Sequence, residues 1–180
     1  NLKCPYCHSK DLVYLKENMY PIVNEKINEY LKSHHKDLEG IYISGGEPLM
    51  HEGILSFLQY AKSLDYKIKL HTNGMFYDRL KRILKDGLVD YVSLDIKNAP
   101  SAYAKTCGVD DVDLKDIEKS LNELKTSSFD YDICITLVDE FHNEKTMDEL
   151  GQWIQGVDHV VLQPFKDCQT TIDHSLRSPD

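Results

Sequence analysis

The chain has 180 residues, 41% hydrophobic and 28% charged, which suits one globular domain with a sizeable core and excludes a disordered segment. A formal net charge of -9 excludes both the basic footprint of a nucleic-acid binder and the polybasic signal of a membrane-surface protein, and no apolar run approaches a membrane span. Five cysteines, an odd number with one close pair, do not make a secreted disulfide framework, so the chain reads as cytoplasmic, with a protein or small-molecule partner.

The chain starts abruptly. Asn1 is not Met, Cys4-Pro5-Tyr6-Cys7 follows at once, and Ser178-Pro179-Asp180 brings no closing element; a piece trimmed at both ends is expected. Pro21 to Ser33 carries Val23, Ile27, Tyr30 and Leu31 at helical spacing. A strand over Ile41–Ser44 follows, then an amphipathic helix marked by Ile54, Leu58, Ala61 and Leu64. Lys67–Leu70 is a short strand, and Leu80, Ile83 and Leu84 mark a helix stopped at Gly87. Tyr91–Ile96 is the next strand, and a longer connection runs from Asn98 to Asp111. Asp113 caps a predicted helix holding Ile117, Leu121 and Leu124. Asp130–Val138 is a long strand, Asn143 caps a helix with Met147, Leu150 and Ile154, and His159–Gln163 is the last strand.

Strands separated by helices imply a parallel sheet. No linker divides the chain, so residues 1–180 read as a single domain. A (β/α) barrel, or part of one, fits this pattern as well as an open doubly wound sheet does.

In both architectures ligands bind at the carboxyl ends of the strands. The first such end is Ser44-Gly45-Gly46-Glu47-Pro48. Two glycines bare the backbone for close approach, and Glu47 offers a carboxylate, a pairing suited to a bound ammonium. The second end carries His71-Thr72-Asn73-Gly74, where Asn-Gly alone is only a turn signal. The third carries Asp95 and Lys97, which face the same way in a regular strand; on an exposed loop such a pair has little consequence. Gln163-Pro164 closes the last strand.

Cys4-Pro5-Tyr6-Cys7 admits three readings: a redox dithiol, half a zinc site, or part of an iron–sulfur site. The residues alone leave these open. Cys134, inside an apolar strand, reads as a small buried hydrophobe. Cys107 and Cys168 fall in loops with no assigned role.

Taken together, these motifs resemble the radical S-adenosylmethionine (SAM) superfamily. The resemblance rests on Cys4-x-x-Cys7 with Tyr6 between, Gly45-Gly46-Glu47-Pro48, Thr72-Asn73-Gly74 and Asp95-x-Lys97, and it covers nearly the whole chain. Within that superfamily the chain is most similar to activating proteins of anaerobic ribonucleoside-triphosphate reductase, which are glycyl-radical activases. Asn1 to His8, Ile43 to Pro48, Gly87 to Val92 and Val161 to Phe165 carry that finer likeness. It departs at His71, where such activases usually have Asp, and at Ser9, where Asn is common.

The resemblance implies a partial (β/α)6 TIM-like barrel whose first strand would precede Asn1. It implies a [4Fe–4S] cluster held by three thiolates, with Cys4 and Cys7 matching the second and third cysteines of the family's C-x3-C-x2-C motif and the first just ahead of Asn1. SAM would chelate the open iron. Gly45, Gly46 and Glu47 would receive its amino group, Tyr6 would lie near the adenine, and Thr72 and Asn73 would face the sulfonium or ribose. Asp95 and Lys97 would contact SAM or the entering substrate loop, and Thr136 and Gln163 would line the nucleoside. Cys4, Cys7 and Lys97 would carry catalysis. The implied reaction is reductive cleavage of SAM to a 5′-deoxyadenosyl radical that takes hydrogen from a glycine of a partner enzyme. A flavodoxin- or ferredoxin-like protein would supply the electron. With two of the three thiolates, residues 1–180 alone are expected to be inactive. The rivals are a radical SAM enzyme acting on a small molecule, of the deazaguanine-synthase kind, and a non-catalytic α/β ligand-binding module.

Overall fold

The structure, a computed structural model, describes residues 1–14, 22 and 24–179. Its helices are α1 (Lys10–Tyr14), α2 (Asn24–His34), α3 (Ile54–Ser63), α4 (Tyr77–Lys85), α5 (Tyr103–Thr106), α6 (Lys115–Thr126) and α7 (Glu144–Trp153). Its strands are β1 (Gly40–Ile43), β2 (Lys67–Thr72), β3 (Tyr91–Asp95), β4 (Tyr131–Leu137) and β5 (Val160–Pro164). The helix expected from Pro21 is seen from Asn24 onward; Pro21 and Val23 lie outside the described residues.

All four strand pairings are parallel, and the spatial order β1-β2-β3-β4-β5 is the chain order. A doubly wound sheet reverses its order at a switch point, whereas a barrel adds each strand beside the last. The unreversed order therefore settles the choice left open by the sequence: the sheet is part of a (β/α) barrel.

Alternation along the strands sorts the side chains onto two faces. Ile68, Leu70, Val92, Leu94, Ile133 and Ile135 are at most 1% exposed and join one core with Leu58, Leu80, Ile83, Ile117 and Leu124 from the helices. The opposite face, the inside of the barrel, is polar. There Lys69 Nζ lies 3.3 Å from Asp132 Oδ2, and the Tyr91 hydroxyl donates to the same oxygen over 3.0 Å. Burying such groups is tolerable only when they are paired, and this pairing keeps the interior of the arc polar. Every residue of β5 is exposed.

Two local signals behaved as expected. Asn143 caps α7 in a capping box with Thr146, and Cys134 is buried in β4. The connection from Asn98 to Asp111 is more ordered than its Pro and Gly content suggests: Pro100–Ala102 forms a 3-10 turn that leads into α5. Among the described residues no helix is long and apolar enough to cross a membrane.

The N-terminal cysteine loop is clamped from both sides. Lys3 N–H donates to the Cys107 carbonyl over 3.0 Å. Gly108 sits beside it at φ +64, and a Cβ there would lie 2.3 Å from the Lys3 carbonyl oxygen, so only glycine allows the approach. On the other side, Ile172 N–H donates to the Cys7 carbonyl and Asp173 N–H to the Pro5 carbonyl, over 3.1 and 2.8 Å. Phe165, 1% exposed, packs between the rings of Tyr6 and His8.

Candidate active site

The carboxyl ends of β1, β2 and β3 and the cysteine loop meet around one cavity of about 420 Å³. Cys4, Tyr6 and Cys7 line it from the loop. Gly45, Gly46 and Glu47 line it from β1, Thr72 and Asn73 from β2, and Asp95 and Lys97 from β3. Ten residues named from the sequence thus converge on one wall-to-wall site. Thr136 and Gln163 do not join them: they pair across β4 and β5, apart from the cavity.

At the end of β1 the chain turns at Gly45, whose φ of +122 lies where side chains are strained. Nothing lies within 4 Å of a Cβ built on Gly46, so its backbone is bare toward the cavity. Glu47 lines the cavity and also has a structural part. Its carboxylate is occupied within the protein: Oε1 accepts from Leu49 N–H at 3.0 Å and from the Thr72 hydroxyl at 2.7 Å, and Oε2 accepts from Asn73 N–H at 2.8 Å. A carboxylate only 5% exposed must find such donors. Glu47 therefore stitches the β1 and β2 ends together while also lining the cavity beside Gly45 and Gly46. Thr72 is committed to the same stitch, and Asn73 is held by Met75 N–H and by Asn1.

Asp95 and Lys97 are paired at 2.5 Å, as the alternation of β3 predicts. Burial alone would raise the Asp95 carboxyl, but the Lys97 ammonium and a hydrogen bond from His71 outweigh it and hold the group at about 2. Burial likewise pulls Lys97 down, and Asp95 more than offsets it, so the ammonium stays charged. Tyr6 is 6% exposed, with its ring against Phe141 and Phe165. It contributes mainly the wall beneath the cysteine loop.

Cys4 is buried, with its thiol against that of Cys107. A hydrogen bond from Cys107 brings the Cys4 thiol down to about 7 against the opposing effect of burial, with help from Lys97. The Cys107 thiol is correspondingly pushed far up, first by Cys4 and then by burial. Cys7 receives Ser9 N–H at 3.4 Å. Two soft sulfur ligands at one cavity wall suit an iron–sulfur cluster. Among the described residues no three His, Cys, Asp or Glu side chains form a metal-holding group, so two thiolates are what these residues offer. Asn1 itself lines the cavity, so a cysteine immediately before it would join the chain at the same mouth. The donor set fits the group.

Three neighbours escaped the sequence reading as site residues: Cys107, Tyr42 and His71. Cys107 meets Cys4 across the whole span from loop to α5, and no local pattern signals that. Tyr42 lies on the inner face of β1 with its hydroxyl 2.6 Å from His71 Nδ1, a contact that alternation would have suggested had the register been known.

The radical SAM superfamily model matches residues 1–154. A candidate glycyl-radical enzyme activating enzyme of Methanocaldococcus jannaschii is 28% identical over 170 residues, covering 92% of this chain and 69% of that protein. A GTP 3′,8-cyclase of Alkaliphilus oremlandii is 29% identical over 107 residues, 57% of this chain and a 33% share of the cyclase, so the chain spans about a third of that relative. Streptococcus suis SuiB, solved bound to SAM, superposes with a TM-score of 0.73 at 15% identity, over 96% of this chain and 40% of SuiB, a likeness of fold alone. The match over most of its length, on a fold and a thiol-lined cavity that fit it, shows that this chain belongs to the radical SAM superfamily, whose members use a [4Fe–4S] cluster and SAM.

Proposed function

We propose that the chain is the radical SAM domain of a glycyl-radical enzyme activase, with an anaerobic ribonucleotide reductase as its partner. The observation that carries this reading is the convergence of Cys4 and Cys7 with the bare Gly45-Gly46 backbone and the Asp95–Lys97 pair around one cavity. The archaeal relative, matched over most of both chains, favours the activase class.

Cys4 and Cys7 would be two of the thiolates that hold a [4Fe–4S] cluster. When bound, such a cluster would supply the one electron for reductive cleavage of SAM at its sulfonium–C5′ bond. The Gly45-Gly46-Glu47 turn would receive the SAM ammonium. Glu47, Thr72 and Asn73 hold that turn at a fixed distance from β2. Asp95 and Lys97 present an acceptor and a donor to the nucleoside or to the entering substrate loop. Tyr6 and the clamp around it keep the cysteine loop closed against water. The chemistry so supplied would serve to take a hydrogen atom from a glycine Cα of the partner. A flavodoxin- or ferredoxin-like donor renews the electron, and the five free thiols suit a reducing cytoplasm.

The test is made without oxygen, on protein that carries the motif's first cysteine ahead of Asn1. After reconstitution with iron and sulfide and reduction, 5′-deoxyadenosine is expected from SAM in the parent and not in Cys4→Ala. A glycyl radical signal on an added anaerobic reductase would support the partner. The likeness to the cyclase favours one rival, an enzyme acting on a small molecule. Consumption of GTP with no radical on any glycyl-radical enzyme would select that rival.

A further inference from the structure

A row of side chains on the inner face of β1, β2 and β3 runs into the site, where His71, Asp95 and Lys97 line the cavity. The Tyr42 hydroxyl lies 2.6 Å from His71 Nδ1, His71 Nε2 lies 3.3 Å from Asp95 Oδ2, and Lys97 Nζ lies 2.5 Å from the same oxygen. An ionised carboxylate only accepts, so the His71–Asp95 contact requires a proton on Nε2. In the neutral imidazole Nδ1 is then the acceptor, and Tyr42 donates to it. The two halves of the imidazole are thus fixed by partners on different strands.

Both donors converge on Oδ2. Asp95 Oδ1 is buried and has no hydrogen-bond partner, although Asp95 lines the cavity. A buried carboxylate oxygen without a donor is costly, and it marks where a donor is to come from. Lys97 already offsets the charge of Asp95. What Oδ1 offers a ligand is therefore a lone pair, suited to a neutral O–H or N–H group. With Lys97 alone, on a flexible stem, the carboxylate would be free to turn. The planar imidazole, anchored through Tyr42, removes that freedom.

We propose that His71, with its tautomer set by Tyr42, is a positioning residue that fixes the Asp95 carboxylate so that Oδ1 meets a hydrogen-bond donor of the bound nucleoside. This rests on the reading of the cavity as a SAM site.

Two measurements test it. In the cluster-free protein, long-range ¹⁵N–¹H spectra of the His71 ring are expected to show the proton on Nε2; a bare Nε2 with the proton on Nδ1 overturns the inference. In the reconstituted protein, at matched iron content, His71→Ala is expected to weaken SAM binding about tenfold, the scale of one hydrogen bond to a charged group. His71→Gln keeps a side-chain N–H and is expected to recover most of that loss. Tyr42→Phe leaves the imidazole in place and is expected to show a smaller weakening, with the ring proton no longer fixed. Unchanged affinity in both His71→Ala and Tyr42→Phe overturns the inference while the SAM reading stands. A parent protein that binds no SAM overturns the SAM reading, and this inference with it.

Discussion

The Thr72 hydroxyl donates to Glu47 Oε1 over 2.7 Å, and the next amide, Asn73 N–H, donates to Oε2 over 2.8 Å. One buried carboxylate thereby sets the spacing between the β1 and β2 ends, across which SAM lies in the proposed complex.

Replacing that carboxylate tests its structural share. Glu47→Gln keeps the shape but loses one acceptor, and it is expected to cost about 1–3 kcal/mol of stability, the range for a buried donor left unpaired. Urea unfolding of the cluster-free protein measures this. SAM affinity is expected to fall with it, because the Gly45-Gly46 turn loses its anchor.

Gly45→Ala separates turn geometry from charge. Space around a Cβ there is open, with Leu12 at 4.0 Å, so the cost comes from the backbone at φ +122. A loss of about 1–3 kcal/mol is expected. A stability curve that does not move would show that the turn relaxes, and SAM affinity would then report whether the relaxed turn still receives the ammonium.

Acid should weaken the fold through Asp95. Its carboxyl sits at about 2 in the folded chain against an ordinary 3.8, so it contributes stability that is present above pH 3.8 and lost as pH falls toward 2. Lys97→Met removes the cation that outweighs burial, so the loss is expected to begin at higher pH. Chemical denaturation of the cluster-free protein between pH 2 and 6 reads both curves, with the range chosen about these values.

The Cys4 thiol offers a fourth handle. The hydrogen bond from Cys107 is the largest cause of its fall from 9.0 to about 7, so Cys107→Ala is expected to move thiolate formation back up. Thiolate absorbance followed against pH in cluster-free protein, with Cys4→Ala subtracted, measures it. Chelation of iron from the reconstituted parent should abolish 5′-deoxyadenosine formation and restore the free-thiol titration.

Much of this site was legible because its residues cluster at strand ends. Alternation alone paired Asp95 with Lys97, and the Gly45-Gly46 turn announced a bare backbone. The donors held by Glu47 were not legible, because a carboxylate reads the same whether or not donors of its own chain reach it; only the approach of β2 supplies them. It was silent on Cys107 and on the Tyr42–His71 contact, which depend on strand register and on how α5 folds back over the cysteine loop. It also left barrel and doubly wound sheet undecided, since strand order is set by packing between strands, and helix–strand alternation is common to both.

The clamp on the cysteine loop has a consequence for maturation. Many small metal sites are unfolded until the ion arrives, and the affinity they show has already been reduced by the work of ordering the chain. Here Lys3, Pro5 and Cys7 are held by backbone hydrogen bonds to Cys107, Asp173 and Ile172, none of which requires iron. The receptacle is therefore assembled in advance, and cluster delivery resembles docking of a preformed part into a finished socket. Loss of the cluster should leave the scaffold standing and ready to be refilled.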